Sequence, residues 1–222
     1  MVNKTTLTLP KAPAGPWPKL NDPDTKFDAA GVYDVKLRLD PENEAHAALM
    51  VKLNELEAQS LASKKDELIK AGKEGIAKKL TSQSPISAEE DESGEETGMF
   101  LIKAKMKASG VSKKTGKAWT RKPIIYDRKG KKLASPPNIG AGSELKLNVM
   151  LMDYFIAKDK VCGVSIYLEA VQLITLVSFG SRSASEYGFG EEDGDDIEDG
   201  TVGSDEGSDE FAGDADADDD DM

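Results

Sequence analysis

Residues 100–107, Phe100-Leu-Ile-Lys-Ala-Lys-Met-Lys107, carry a clear alternation of apolar and basic side chains. Successive side chains of a β-strand point to opposite faces, so this pattern predicts a strand with one buried and one basic face. The basic face carries Lys103, Lys105 and Lys107, about 7 Å apart along the strand. That spacing suits the successive phosphates of an extended single strand of nucleic acid.

The segment around this strand, residues 99–132, is strongly basic. It contains twelve Lys and Arg residues against a single acidic one, Asp127. Cations with aromatic rings among them are typical of surfaces that bind single-stranded nucleic acid. We therefore predict ten nucleic-acid-binding residues, with Trp119 and Tyr154 as stacking rings: Lys103, Lys105, Lys107, Lys113, Lys114, Lys117, Trp119, Arg121, Lys122 and Tyr154.

Two structural explanations compete with this assignment. A row of lysines also protects an exposed edge strand from aggregation, although a net charge of +11 over 34 residues exceeds what that protection requires. Any single aromatic ring is also a candidate for the core, and the alternation around Tyr33 places that ring on a buried face.

Further elements can be predicted on both sides of the basic segment. Residues 45–56 carry apolar side chains at helical spacing, which predicts a long helix capped by Asp40-Pro41, running to about Gln59 with a possible continuation to Lys70. Residues 1–30 are rich in proline and are expected to be irregular, and residues 81–98 are expected to form a mobile loop. Strands are predicted over four more stretches: Val32–Leu39, Trp119–Tyr126, Leu145–Leu151 and Val161–Val177.

This order of elements predicts a mainly β fold, a small antiparallel barrel or sandwich with one long inserted helix. Charge then divides the chain into two parts. Residues 186–222 contain 18 acidic residues and no basic one, whereas residues 1–185 carry a net charge of +6. We expect a folded domain over 1–185 and a disordered acidic tail over 186–222. Such asymmetry points to a protein that binds nucleic acid or other partners.

Composition excludes several classes of protein. One cysteine and one histidine, His46, leave no disulfide framework and no Cys or His metal cluster. No apolar run is long enough to span a membrane, and the N-terminus lacks the apolar core of a secretory signal. From the lack of a membrane span and of a signal we expect an intracellular protein. We also expect no metal and no cofactor, and because no catalytic constellation stands out, we expect a protein that is not an enzyme. Cys162 is expected in the core, and His46 is expected to be exposed or partly packed.

Taken together, these stretches resemble the single-stranded DNA-binding proteins of T-seven-like short-tailed bacteriophages. The resemblance covers most of the chain in the same order. Its matching stretches are Gly31-Val-Tyr-Asp-Val-Lys-Leu37, Phe100–Ser109, Asp127-Arg-Lys-Gly-Lys-Lys132, Ile139–Leu147, Val164–Val171 and Thr175–Gly180, followed by the acidic tail.

The resemblance implies an OB-fold, here an antiparallel five-stranded barrel with the helix packed on it, and a homodimer. It implies that the protein coats and protects single-stranded DNA during phage DNA replication, recombination and repair, and promotes annealing, in the cytoplasm of the infected host. It also implies that the tail docks the phage DNA polymerase and primase-helicase. By matching position, Lys105, its neighbours on the strand and Tyr154 are DNA contacts.

Two departures from the family pattern affect these expectations. The chain ends in Met222 where the family has a terminal aromatic residue, and Lys107 stands where an aromatic is expected. The nearest ring to the C-terminus is Phe211, so the expected partner-binding residues are Phe211, Asp218, Asp219, Asp220 and Asp221. An acidic chaperone of basic proteins, acting mainly through the tail, is the alternative function. A nucleic-acid-modifying enzyme is a third reading, but it lacks catalytic residues.

Overall fold

The long strands of the barrel carry alternating apolar and polar side chains, as the sequence predicts. The computed structural model describes residues 4–178, which contain twelve strands and two helices. In chain order these are β1 Lys4–Thr8, β2 Ala12–Pro13, β3 Lys19–Asp24, β4 Val32–Leu39, α1 Glu44–Lys70, α2 Glu74–Ala77, β5 Thr81–Gln83, β6 Ile86–Glu90, β7 Glu96–Lys107, β8 Ser109–Val111, β9 Ala118–Thr120, β10 Ile124–Tyr126, β11 Glu144–Ile156 and β12 Val161–Thr175.

The main sheet has the strand order β1-β11-β12-β7-β4-β3 and curls into a half-barrel. Strand β12 pairs with β11 along its whole length on one edge, in antiparallel orientation. Its other edge is shared by three strands that all run parallel to it: β5 at residues 161–163, β7 at Tyr167, and β10 at residues 170–172. The predicted mainly β fold, an OB-fold-like barrel with one long inserted helix, is confirmed.

The inner face of the curled sheet forms the main hydrophobic core. Val35, Leu37, Leu147 and Leu168 are among its fully buried side chains, and Leu53 of α1 packs into the same core. A smaller cluster joins α1 and α2 to the barrel through Leu68, Ala77, Leu80 and Cys162. The prediction of a core cysteine is therefore confirmed, and burial raises the pKa of its thiol.

The helix begins three residues later than predicted. Asn43, not Asp40, is the N-cap, because its side-chain oxygen accepts the backbone N–H groups of Ala45 and His46. Asp40 instead accepts the N–H of Glu42 in the turn before the helix. The possible continuation to Lys70 is confirmed.

His46 is buried, which the prediction of an exposed or partly packed side chain did not anticipate. Its Nδ1 accepts the N–H of Asp40 over 3.1 Å, which leaves the proton on Nε2 to be donated to the carbonyl of Lys11 over 2.9 Å. The ring thus ties the start of α1 to the N-terminal segment.

Three predictions of secondary structure were wrong: two segments expected to be irregular and one expected to be a single continuous strand. Residues 1–30 contain β1, β2 and β3, of which β3 holds Pro23 because an edge strand does not need every N–H. Residues 81–98 form β5, β6 and the start of β7, since each pairs with a neighbouring long strand. The single strand predicted over residues 119–126 is two strands separated at Pro123, which lacks a donor.

Residues 4–178 all lie in the first of two units of the chain, residues 1–181 and 182–222. The predicted domain boundary at residue 185 and the predicted disordered tail fall outside the described residues and stay predictions. In the range that the structure describes, no helix is long and apolar enough to cross a membrane.

Candidate nucleic-acid interface

The register of the sheet places Met150, Tyr167, Lys105 and Asp34 in one row across four strands. We call these four residues the central row. Each is exposed or partly exposed while its neighbours in sequence are buried, so the row lies on the outer face of the barrel. A half-exposed tyrosine ring therefore stands beside an exposed lysine at the centre of this face.

The lysine row, Lys103, Lys105 and Lys107, projects from the outer face of β7 as predicted. Two of its members are already paired with carboxylates of this chain. The Nζ of Lys103 lies 2.9 Å from Oδ2 of Asp34, and the Nζ of Lys107 lies 3.3 Å from Oδ2 of Asp28. Lys105 has no ion pair with any residue in the described part of the chain.

Asp28 shows the electrostatic effect of this pairing. The backbone N–H of Ala30 and the ammonium of Lys107 together hold the pKa of Asp28 below its ordinary value. The carboxylate is therefore ionised at neutral pH. A phosphate that binds Lys107 has to compete with it, as a phosphate at Lys103 competes with Asp34.

The strands β8 and β9 form a hairpin that continues the basic surface beyond the end of β7. Its loop exposes Lys113, Lys114 and Lys117, and Lys122 is exposed just after it. Arg121 fixes the hairpin to the end of the lysine row, because its Nε donates to the carbonyl of Lys107 over 2.8 Å. The structure thus places nine of the ten predicted residues on β7, in the hairpin or directly after it, and their role in binding stays a prediction.

Both rings predicted to stack on bases also have a structural task. Trp119 lies against Gly110 of the paired strand, where an added Cβ would come within 2.6 Å of the ring. Tyr154 lies in the same way against Gly163 of β12, where a Cβ would lie 2.9 Å from the hydroxyl oxygen. An aromatic ring that covers a cross-strand glycine stabilises the sheet whether or not it contacts a ligand.

The two rings differ in what surrounds them. The guanidinium of Arg121 lies 5.1 Å from the centroid of the Trp119 ring, a cation–π contact that keeps the ring within the basic surface. The Tyr154 hydroxyl donates to Oε1 of Gln83 over 3.1 Å, and burial raises its pKa. Tyr154 is four residues after Met150 on β11, about 13 Å along the strand, in the direction away from the end of β7 that carries the hairpin.

Sequence reasoning missed Tyr167. The run Val161–Val177 is mostly apolar, so its composition alone does not distinguish this ring from the core residues around it. The informative pattern was the alternation of Ser165, Tyr167 and Glu169 with buried neighbours, which puts Tyr167 on the outer face. Its pairing with Lys105 depends on a parallel contact between β12 and β7, which no local pattern reveals.

No group of three or more His, Cys, Asp or Glu residues suited to a metal ion occurs among residues 4–178. The predicted partner-binding residues, Phe211 and Asp218 to Asp221, lie outside the described residues.

Known proteins of one kind resemble the chain. A family profile described as single-stranded DNA-binding protein of bacteriophage T7 matches residues 11–176. The single-stranded DNA-binding protein of Enterobacteria phage T3 is 30% identical over 200 residues, which is 86% of this chain and 84% of the relative. That of Escherichia phage T7 is 31% identical over 153 residues, which is 68% of this chain and 64% of the relative.

A solved structure agrees with these matches. The crystal structure of gp2.5, a single-stranded DNA binding protein encoded by bacteriophage T7, superimposes with a TM-score of 0.65 at 25% identity. The match covers 88% of this chain and 100% of that one.

The binding and structural roles of the aromatic rings can be distinguished by measuring both DNA affinity and melting temperature for each variant. Tyr167→Ala is expected to weaken binding to single-stranded DNA by about 1–3 kcal/mol, the range for loss of one stacked base, with little change in Tm because the ring is partly exposed. Tyr154→Ala and Trp119→Ala are expected to lower Tm in addition to DNA affinity, because each uncovers a cross-strand glycine. Tyr167→Phe keeps the ring and serves as control; wild-type affinity in a folded Tyr167→Ala variant would remove Tyr167 from the interface.

The internal ion pair at Lys103 gives a second prediction. Asp34→Asn removes the carboxylate that occupies this lysine, so affinity for single-stranded DNA is expected to rise, most at low salt where screening is weakest. Glu74→Gln on α2 removes one negative charge elsewhere and is the control. Titrations with single-stranded DNA at two salt concentrations measure the affinity of both variants. An equal gain in affinity in both would mean that only the net charge matters.

Proposed function

The chain belongs to the family of the bacteriophage T7 single-stranded DNA-binding protein, and from this we propose that it coats and protects single-stranded DNA during phage DNA replication, recombination and repair. The observation that carries the proposal is the central row together with the lysine row. These residues place lysine ammonium groups, which can bind phosphates, beside a tyrosine ring, which can stack on a base, on one exposed face.

Binding on this face needs no catalytic step and no cofactor. Lys105 and the loop of the hairpin attract the phosphate backbone, while Tyr167 and Trp119 offer their faces to bases of any sequence. The outer face of the curled sheet presents no helix to a duplex groove, where sequence is read. The proposed preference is therefore for single strands with little dependence on sequence, and the protein acts by binding rather than by catalysis.

The remaining parts of the proposal concern partners. We propose that the acidic residues 186–222 dock the phage DNA polymerase and primase-helicase, with Phe211 and Asp218 to Asp221 as contacts. We also propose a homodimer that promotes annealing in the cytoplasm of the infected bacterium. Support for these proposals comes from the family resemblance and from the charge of the tail, 18 acidic residues without a basic one.

A binding assay with single-stranded and duplex oligonucleotides over a range of salt tests the main proposal. Single strands are expected to bind more tightly, with a log–log slope against salt of about −0.7 for each phosphate that is neutralised. A flat salt dependence would contradict the electrostatic part of the proposal. Equal affinity for duplex would contradict the preference for single strands, and binding to basic proteins alone would favour the acidic chaperone.

Removal of residues 186–222 tests the role of the tail. The tail is covalently attached to a basic surface, so its effective concentration there is about a millimolar or more. It is expected to compete with phosphates, so the truncated chain should bind single-stranded DNA more tightly at low salt and should lose binding to polymerase and helicase. Unchanged DNA affinity at low salt would show that the tail is no competitor, and retained partner binding would reject its docking role.

A further inference from the structure

A second basic surface lies beyond the ten predicted residues, at the turn that follows β10. We call it the turn patch: Arg128, Lys129, Lys131 and Lys132 of the turn, and Lys146 of β11. All five side chains are exposed. Tyr126, at the end of β10, is partly exposed beside them and forms a β-bridge with Lys132.

The turn has a fixed conformation. The N–H of Asp127 donates to the carbonyl of Lys131 over 2.9 Å, and the N–H of Gly130 donates to the carbonyl of Asp127 over 3.0 Å. From β12, Nε2 of Gln172 donates to the carbonyls of both Asp127 and Arg128. The cations are therefore presented by a preorganised backbone, which reduces the entropy lost on binding.

Within residues 4–178, no ion pair balances the charge of the turn patch. None of its five cations forms an ion pair with a residue in the range 4–178. The carboxylate of Asp127, the acidic residue in the turn, is used locally, because Oδ1 accepts the N–H groups of Lys129 and Lys131, each over 2.8 Å. The lysine row, by contrast, has two of its three cations paired with Asp34 and Asp28.

The turn patch lies on the same outer face as the central row. Register places Lys146, Gln172 and Tyr126 side by side across β11, β12 and β10. Lys146 is four residues before Met150 on β11, which is about 13 Å along the strand. An extended strand of nucleic acid that contacts Lys105 can therefore continue along β11 and β12 to the turn patch.

Protection of an edge strand does not account for Lys146. Lysines serve that purpose on the strand that forms the edge. Lys146 belongs to β11, which is paired on both sides, with β1 and with β12.

We propose that the turn patch is a second phosphate-binding site, which holds the backbone of the same single strand that binds at the central row. The inference rests on the proposed function and extends it by a contact that adds length to the bound strand. Its ligand is the phosphate backbone of single-stranded nucleic acid, held by cations that form no ion pair within residues 4–178, on a turn fixed by hydrogen bonds.

The test compares two triple variants of the full chain. Lys129→Gln, Lys131→Gln and Lys132→Gln together remove three charges from the turn patch. Lys73→Gln, Lys78→Gln and Lys79→Gln remove three exposed charges that flank α2. Helix α2 packs near Cys162, which is ten residues from Gln172 and so about 33 Å away along β12. Both are titrated over a range of salt with an oligonucleotide of about 16 nucleotides, the upper site size of one OB-fold, after their Tm values have been compared with that of the unaltered chain.

The turn-patch variant is expected to lose up to about 2 from the log–log salt slope, at about 0.7 for each phosphate contact removed, while the α2 variant keeps the slope of the unaltered chain. An unchanged slope in the turn-patch variant, or an equal loss in both variants, would overturn the inference and leave the proposed function intact. If the unaltered chain itself did not bind single-stranded DNA, the proposed function would fail, and the inference with it.

Discussion

Thirteen residues of β11 pair with β12 in one long antiparallel ladder, and the rest of the structure depends on that pairing. The inward side chains of both strands supply much of the core, including Leu147 and Leu168. The outward side chains, among them Met150 and Tyr167, form the candidate interface. Because side chains alternate with a period of two, a shift of one residue in register would expose the core and bury the interface.

The edge of β12 that does not pair with β11 organises the outer face. Three strands pair with successive parts of this edge, and each places different side chains there. Strand β5 brings Gln83 to Tyr154, β7 brings Lys105 to Tyr167, and β10 brings the basic turn to Gln172. The outer face is therefore a series of sites along one strand rather than a single pocket.

Charge on this face is distributed unevenly for a physical reason. Asp28 and Asp34 lie close enough to the lysine row to form ion pairs with it, which lowers its attraction for phosphate but keeps the sheet free of uncompensated repulsion. Exposed pairs of this kind contribute little to stability. Their main consequence is that a phosphate at Lys103 or Lys107 replaces a carboxylate, whereas one at Lys105 does not.

Local patterns in the sequence were sufficient to predict the lysine row, the long strands, the presence of α1 with a possible continuation to Lys70, and the burial of Cys162. Each of these depends on the period of side chains within one element. The strands near the N-terminus were missed because their pairing with β11 and β4 outweighs their proline content. The helix cap at Asn43 was missed because two residues near it, Asp40 and Asn43, are both suitable caps.

The candidate site was harder to predict than the fold, because its residues come together across strands. Tyr167 and Lys105 are partners in register yet lie far apart in the chain, and no periodicity connects them. The roles of Trp119 and Tyr154 as covers for Gly110 and Gly163 are likewise visible only once the strands are paired.

Protection of individual lysines from chemical acetylation by bound single-stranded DNA tests the central claim most directly, since it reports contact residue by residue without substituting any of them. The account predicts strong protection of Lys105, together with protection of Lys103 and Lys107, and none of Lys73, Lys78 and Lys79 around α2. Protection confined to the lysines around α2, or equal protection everywhere, would contradict the assignment of the outer face of the barrel as the binding surface.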